Sequence, residues 1–170
     1  MRFLTPTTCC LILLWLAPNA MAQRALLDDS LSPRPFYDLD LVWQPHDVMR
    51  SVQALLSDRS DRLPPLTGRV SGVEIILDTR PYVGQVARIY LRLPTAMPGT
   101  HSIGNLELSW PNNGLFLAGS VSPGQEALLF EGVIEGPVVA GVLDLRLSID
   151  AGNAPDRFTI EPVYEIEITR

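Results

Sequence analysis

His46 and His101 are the chain's two imidazoles, fifty-five residues apart, and any nucleophilic catalysis built on histidine would have to use one of them. A nucleophile needs a base beside it. Neither histidine lies in a Gly-x-Ser-x-Gly elbow or another setting that supplies that arrangement. His46 reads as an exposed residue ahead of a short helix, and His101 as a loop residue after Pro98-Gly99. With no cysteine nearby they make a poor zinc site, so no metal is expected.

Carboxylates are more plentiful. Glu161, Glu165 and Glu167 alternate near the C-terminus, and Asp144 and Asp150 lie on the preceding segment. A pair of carboxylates can act as acid and base in a hydrolase, provided one sits in an apolar pocket that raises its pKa. Outward strand positions favour the opposite, a solvated face partly neutralised by arginines such as Arg146. The stretch Asp150-Ala151-Gly152-Asn153-Ala154-Pro155-Asp156 has oxygen donors for calcium. It lacks the ligand spacing and distal glutamate of an EF-hand loop, so it reads as a turn. Gly132, Gly136 and Gly141 are spaced as strand punctuation, not as a phosphate cradle. No cofactor is expected.

The best binding candidates are aromatic. Tyr90 lies between Arg88 and Arg92 on the polar side of its strand, where it could stack on a sugar or clasp an acidic partner. The competing expectation is that this strand pairs beside Glu165 and Glu167 and its arginines neutralise them. Trp43, before Pro45, and Tyr82, in the Pro81-Tyr82-Val83-Gly84 turn, are the other exposed-aromatic candidates. Trp110 shares parity with Leu106 and Leu108 and belongs to the core.

These residues need extended elements to position them. Leu143, Leu145, Leu147 and Ile149 alternate with polar residues, and Phe158, Ile160, Tyr164, Ile166 and Ile168 follow after the 150–156 turn. Period-two patterning on both sides of a turn predicts a β-hairpin with one buried face. Further strands are expected at 36–43, 70–77, 82–93, 106–110, 115–121 and 126–134, with an Asn113-Gly114 tight turn between the fourth and fifth of these. Val48, Met49, Val52, Leu55 and Leu56 predict one short helix after Asp47, its apolar stripe buried against the sheet. Residues 24–34 read as a flexible leader and 57–65 as a surface linker.

The total is an all-β chain, a two-sheet β-sandwich of seven to eight strands, with a small closed barrel as the alternative. Residues 23–66 would form an N-terminal extension carrying a strand and the short helix, and 67–170 the sandwich domain. The run from Leu106-Glu107-Leu108-Ser109-Trp110-Pro111 through Gly119-Ser120-Val121-Ser122-Pro123-Gly124 resembles bacterial cohesin-type and other immunoglobulin-like domains. Such domains place an aspartate in the turn where Trp110 here passes directly to Pro111. The resemblance implies an immunoglobulin-like fold class and no particular binding surface.

Arg2, the apolar run from Cys9 to Ala17 and the small residues Ala20 and Ala22 make residues 1–22 a cleavable secretory signal. The apolar run is too short to span a bilayer comfortably, so no stable membrane anchor is expected after cleavage. Cys9 and Cys10 leave with it, and the mature chain then has neither disulfide nor thiolate. It also has 12 basic against 19 acidic residues, a net charge of −7, and every basic residue is arginine. We take the absence of lysine as a sign of GC-rich bacterial coding, hence a periplasmic or secreted destination. An acidic exported domain excludes nucleic acid as the expected partner. The expectation is a non-catalytic interaction or accessory module of the cell envelope, with a protein partner in surface assembly, secretion or adhesion. Carbohydrate binding through the aromatics comes second, and a two-carboxylate hydrolase third.

Overall fold

Residues of alternating polarity can hide one face only against a second layer, and this chain builds both layers itself. The computed structural model describes residues 24–33, 42–43, 49, 52–53, 56, 65–95, 106–150 and 160–169, without the side chains of 42 and 43. The strands are β1 (Arg24–Leu26), β2 (Val42–Trp43), β3 (Pro65–Asp78), β4 (Val86–Arg92), β5 (Glu107–Trp110), β6 (Gly119–Val121), β7 (Glu126–Val133), β8 (Val138–Asp150) and β9 (Val163–Ile168). They form two antiparallel sheets, ordered β1-β9-β4-β7 and β2-β3-β8-β5-β6. The molecule is an all-β two-sheet sandwich. Ile89 and Leu91 of β4, Leu108 of β5, Leu143 and Leu145 of β8 and Ile166 of β9 are among the buried side chains between the sheets.

The last two strands are not a hairpin. β8 pairs with β3 and β5, whereas β9 pairs with β1 and β4 in the other sheet. Their apolar faces meet across the core instead of lying side by side. Alternation tells which face of a strand is buried and is silent on which sheet it joins. Twelve residues separate the two strands, enough to cross the roughly 10 Å between packed sheets.

The expected leader is part of the sandwich. β1 pairs with β9, Leu27 is buried, and the Leu27 N–H donates to the Tyr164 carbonyl at 2.9 Å. The chain then changes sheets. The Asp28 carbonyl accepts from the Asp78 N–H at 2.9 Å. The Ser32 hydroxyl oxygen accepts from the Ile76 N–H at 2.9 Å, and the hydroxyl donates to the Ile76 carbonyl at 3.3 Å. This segment therefore ties the β1 side of one sheet to the β3 side of the other. On the opposite flank the Leu117 N–H donates to the Leu129 carbonyl of β7 at 2.8 Å.

The Asn-Gly stretch is a longer loop than a tight hairpin. Asn113 Oδ1 accepts from the N–H groups of Leu115 and Phe116, and Asn112 Oδ1 accepts from that of Gly114. Side-chain acceptors that compete for the backbone in this way hold a wide turn, which sends Phe116 into the core, fully buried. Strand pairing resumes only at Gly119, so the expected strand from 115 shrinks to three residues. Of the expected helix, Met49, Val52, Gln53 and Leu56 are described, all with helical backbone. Met49, Val52 and Leu56 are exposed, which corrects the expectation of burial for these three members of the stripe; Val48 and Leu55 lie outside the described residues.

Candidate functional site

The outward side chains of the four-stranded sheet lie in rows set by the register. Arg24, Glu167, Arg88 and Glu131 make one row across β1, β9, β4 and β7. Leu26, Glu165, Tyr90 and Leu128 make the next. Arg24 spans them. Its guanidinium meets Glu126 at 2.7 Å and Glu167 at 3.0 Å, and lies 4.1 Å from the centre of the Tyr90 ring. Arg88 pairs with Glu131 at 2.8 Å and Arg92 with Glu165 at 3.1 Å. Hydrogen bonds to Glu126 and Glu167 hold Arg24 above the ordinary guanidinium range, and the bond to Glu131 does the same for Arg88. Exposed ion pairs of this kind contribute about 0–1 kcal/mol each.

This arrangement places the five binding candidates in three settings. Arg88, Tyr90 and Arg92 do come together, on this outer face, where the two arginines neutralise carboxylates. Arg24 covers one face of the Tyr90 ring. Tyr82 lies in a 3-10 turn, Arg80–Tyr82, and packs against the core. Trp43 belongs to β2, its backbone opposite Gly68 in the other sheet. Glu165 and Glu167 lie on one outer face and Asp144 on the other, so those carboxylates share no cleft. His46, His101, Ala20, Ala22 and residues 151–156 lie outside the described residues. Among the described residues no group of three histidine, cysteine or carboxylate side chains could hold a metal ion.

The outer face of the five-stranded sheet is different at one end. β8 begins Val138-Val139-Ala140-Gly141-Val142, and its outward members Val138, Ala140 and Val142 are exposed, the two valines at 41 % and 49 %. Ile76 of β3 stands opposite Ala140, and Leu31, beside the Ser32 that bonds Ile76, is exposed too. From Asp144 onward the outward positions turn polar: Asp144, Arg146, Ser148 and Asp150. Single exposed apolar residues are ordinary, whereas large contiguous apolar patches are enriched at contact surfaces in general. Sequence reading passed over this group. Its signal was the loss of alternation from 138 to 142, since a strand with one wet face should alternate. Arg24 was missed because a lone basic residue in a polar leader carries no strand pattern.

Comparison of the chain with protein-family models, with curated proteins and with solved structures found no match.

Proposed function

We propose that this chain is an exported, non-catalytic interaction module of the bacterial envelope, an immunoglobulin-like sandwich freed from its signal after Ala22. It holds a protein partner against the apolar end of the five-stranded sheet. The observation that carries this reading is the outward group of Val138, Ala140 and Val142 beside Ile76. Water disfavours such a surface at about 25 cal/mol per Å² of apolar area, and a partner's side chains would remove it from water. The charged face of the other sheet supports the reading from the opposite direction, because its arginines and carboxylates already satisfy one another.

The test is capture from envelope extract with the processed chain and with a Val138→Asp/Val142→Asp variant. The wild-type chain should retain a protein that the variant releases, while both unfold at similar denaturant concentrations. Equal retention by both chains would refute this surface as the contact. A glycan array that responds when no protein is retained would put carbohydrate binding in its place.

A further inference from the structure

Six arginines fall among the described residues, and four of them hold carboxylates: Arg24, Arg80, Arg88 and Arg92. Arg69 and Arg146 do not. Among the described residues no carboxylate lies within ion-pair distance of either. They stand directly opposite each other in the β3–β8 register, and both are exposed. Arg146, expected to neutralise carboxylates across its strand, faces a like charge instead. Like charges in that position repel and weaken the sheet.

Leu145 and Leu147, on either side of Arg146, are buried in the core, and Gly68 and Val70 stand opposite them in β3. Both guanidinium groups therefore rise from the outer face of the five-stranded sheet. Their row continues through Ser109 of β5 and Ser120 of β6, and the next row holds Thr67, Ser148 and Glu107. Asp144, two residues along β8, is turned to the bulge of β3, where its Oδ1 accepts from the Gly72 N–H at 3.0 Å. Each guanidinium carries five N–H donors in a planar fork that matches a carboxylate or a tetrahedral oxyanion. Two such side chains, roughly 5 Å apart at Cβ, can close on one anion from both sides. The serine hydroxyls, a further strand spacing of about 5 Å each, can serve additional oxygens of a larger ligand.

We propose that Arg69 and Arg146 form an oxyanion-recognition site, and that it receives an acidic side chain of the protein partner seated on the apolar end of the same sheet. The anion site stands on the arginine pair alone; the choice of a protein carboxylate rests on the docking reading above. Val142 lies four residues before Arg146 on β8, about 13 Å away. A partner that covers the usual area of about 800 Å² spans both positions. Its carboxylate would also remove the repulsion between the two guanidinium groups, a cost the free chain carries.

The arginine Nε–Hε resonances of the processed chain test the site directly, with sodium sulfate as the probe and sodium chloride of equal ionic strength as the control. Sulfate should shift the Arg69 and Arg146 signals saturably and those of the paired Arg88 and Arg92 far less. Arg146→Gln should abolish the shift at Arg69. In capture from envelope extract, Arg69→Gln/Arg146→Gln should retain at least about tenfold less protein than the wild-type chain. The same variant should unfold at an equal or higher urea concentration, since it loses a repulsion and no partner. Absence of a saturable sulfate shift would overturn the site. Equal retention by the arginine variant would overturn the carboxylate partner, and loss of retention by Val138→Asp/Val142→Asp alone would then leave the docking surface standing. Retention of acidic glycans in place of any protein would overturn the carboxylate partner as well.

Discussion

Replacing Gly141 with alanine puts the core packing to a quantitative test. A Cβ at this position would stand 2.7 Å from Cε2 of Phe116 and 3.3 Å from Cδ2 of Leu115. Real carbon contacts of that kind settle near 3.5–4.0 Å, so something must shift by close to 1 Å. Phe116 has no solvent-facing side to move toward, since it is fully buried and Asn113 fixes its backbone N–H. Overpacking a filled core costs about 1–3 kcal/mol. In a chain of this size each kcal/mol lowers the melting temperature by about 2–4 °C, so Gly141→Ala should melt roughly 2–12 °C lower. Urea unfolding at an unchanged m-value reads the free energy directly. Shortening the ring should relieve the clash. Gly141→Ala with Phe116→Leu should therefore be less destabilised than the two single changes together. An unchanged melting temperature for Gly141→Ala, or strict additivity in the double variant, would refute the packing described for Phe116.

Two further substitutions probe the charged face and the sheet-crossing segment. Arg24→Ala removes the pairs with Glu126 and Glu167 and the stacking on Tyr90, and should cost about 1–2 kcal/mol in low salt, less in 1 M salt, read by urea melts. Asp29 is held above the ordinary carboxylate range, chiefly by burial. A raised pKa means the folded state favours the protonated acid. Its contribution is therefore full below the unfolded pKa, about 3.9, and lost as pH rises through the folded value. Asp29→Asn should then raise the melting temperature at pH 7 and change it little at pH 3. Asp28 and Asp78 run the other way, lowered by hydrogen bonds from Ser30 and Arg80, so their contribution disappears in acid.

The buried faces were legible because polarity alternates in β4, β5, β8 and β9, and each of those strands does bury its apolar side. Sheet membership was not. The same alternation in 143–149 and 160–168 fits neighbours in one sheet or opposite walls of a core, and only tertiary pairing distinguishes them. β1 was illegible for another reason: three residues, Arg24 to Leu26, are too few to show a period. Asn113-Gly114 signalled a turn but not its width, which the two asparagine side chains determine by bonding main-chain N–H groups. Part of the charged face was foreseeable from Arg88, Tyr90 and Arg92, because like spacing on one strand invites opposite charge on the next. The apolar end of β8 was legible in principle, as five residues without a polar one.

β9 lies inside its sheet, between β1 and β4, although it comes near the end of the chain. The first described strand can pair with nothing until that late segment exists, and β4 is short of a neighbour until then as well. A polypeptide delivered with residue 24 leading thus waits for residue 168 before the four-stranded wall can assemble. The order of the strands alone therefore makes completion of this sheet a late event in folding from the N-terminus.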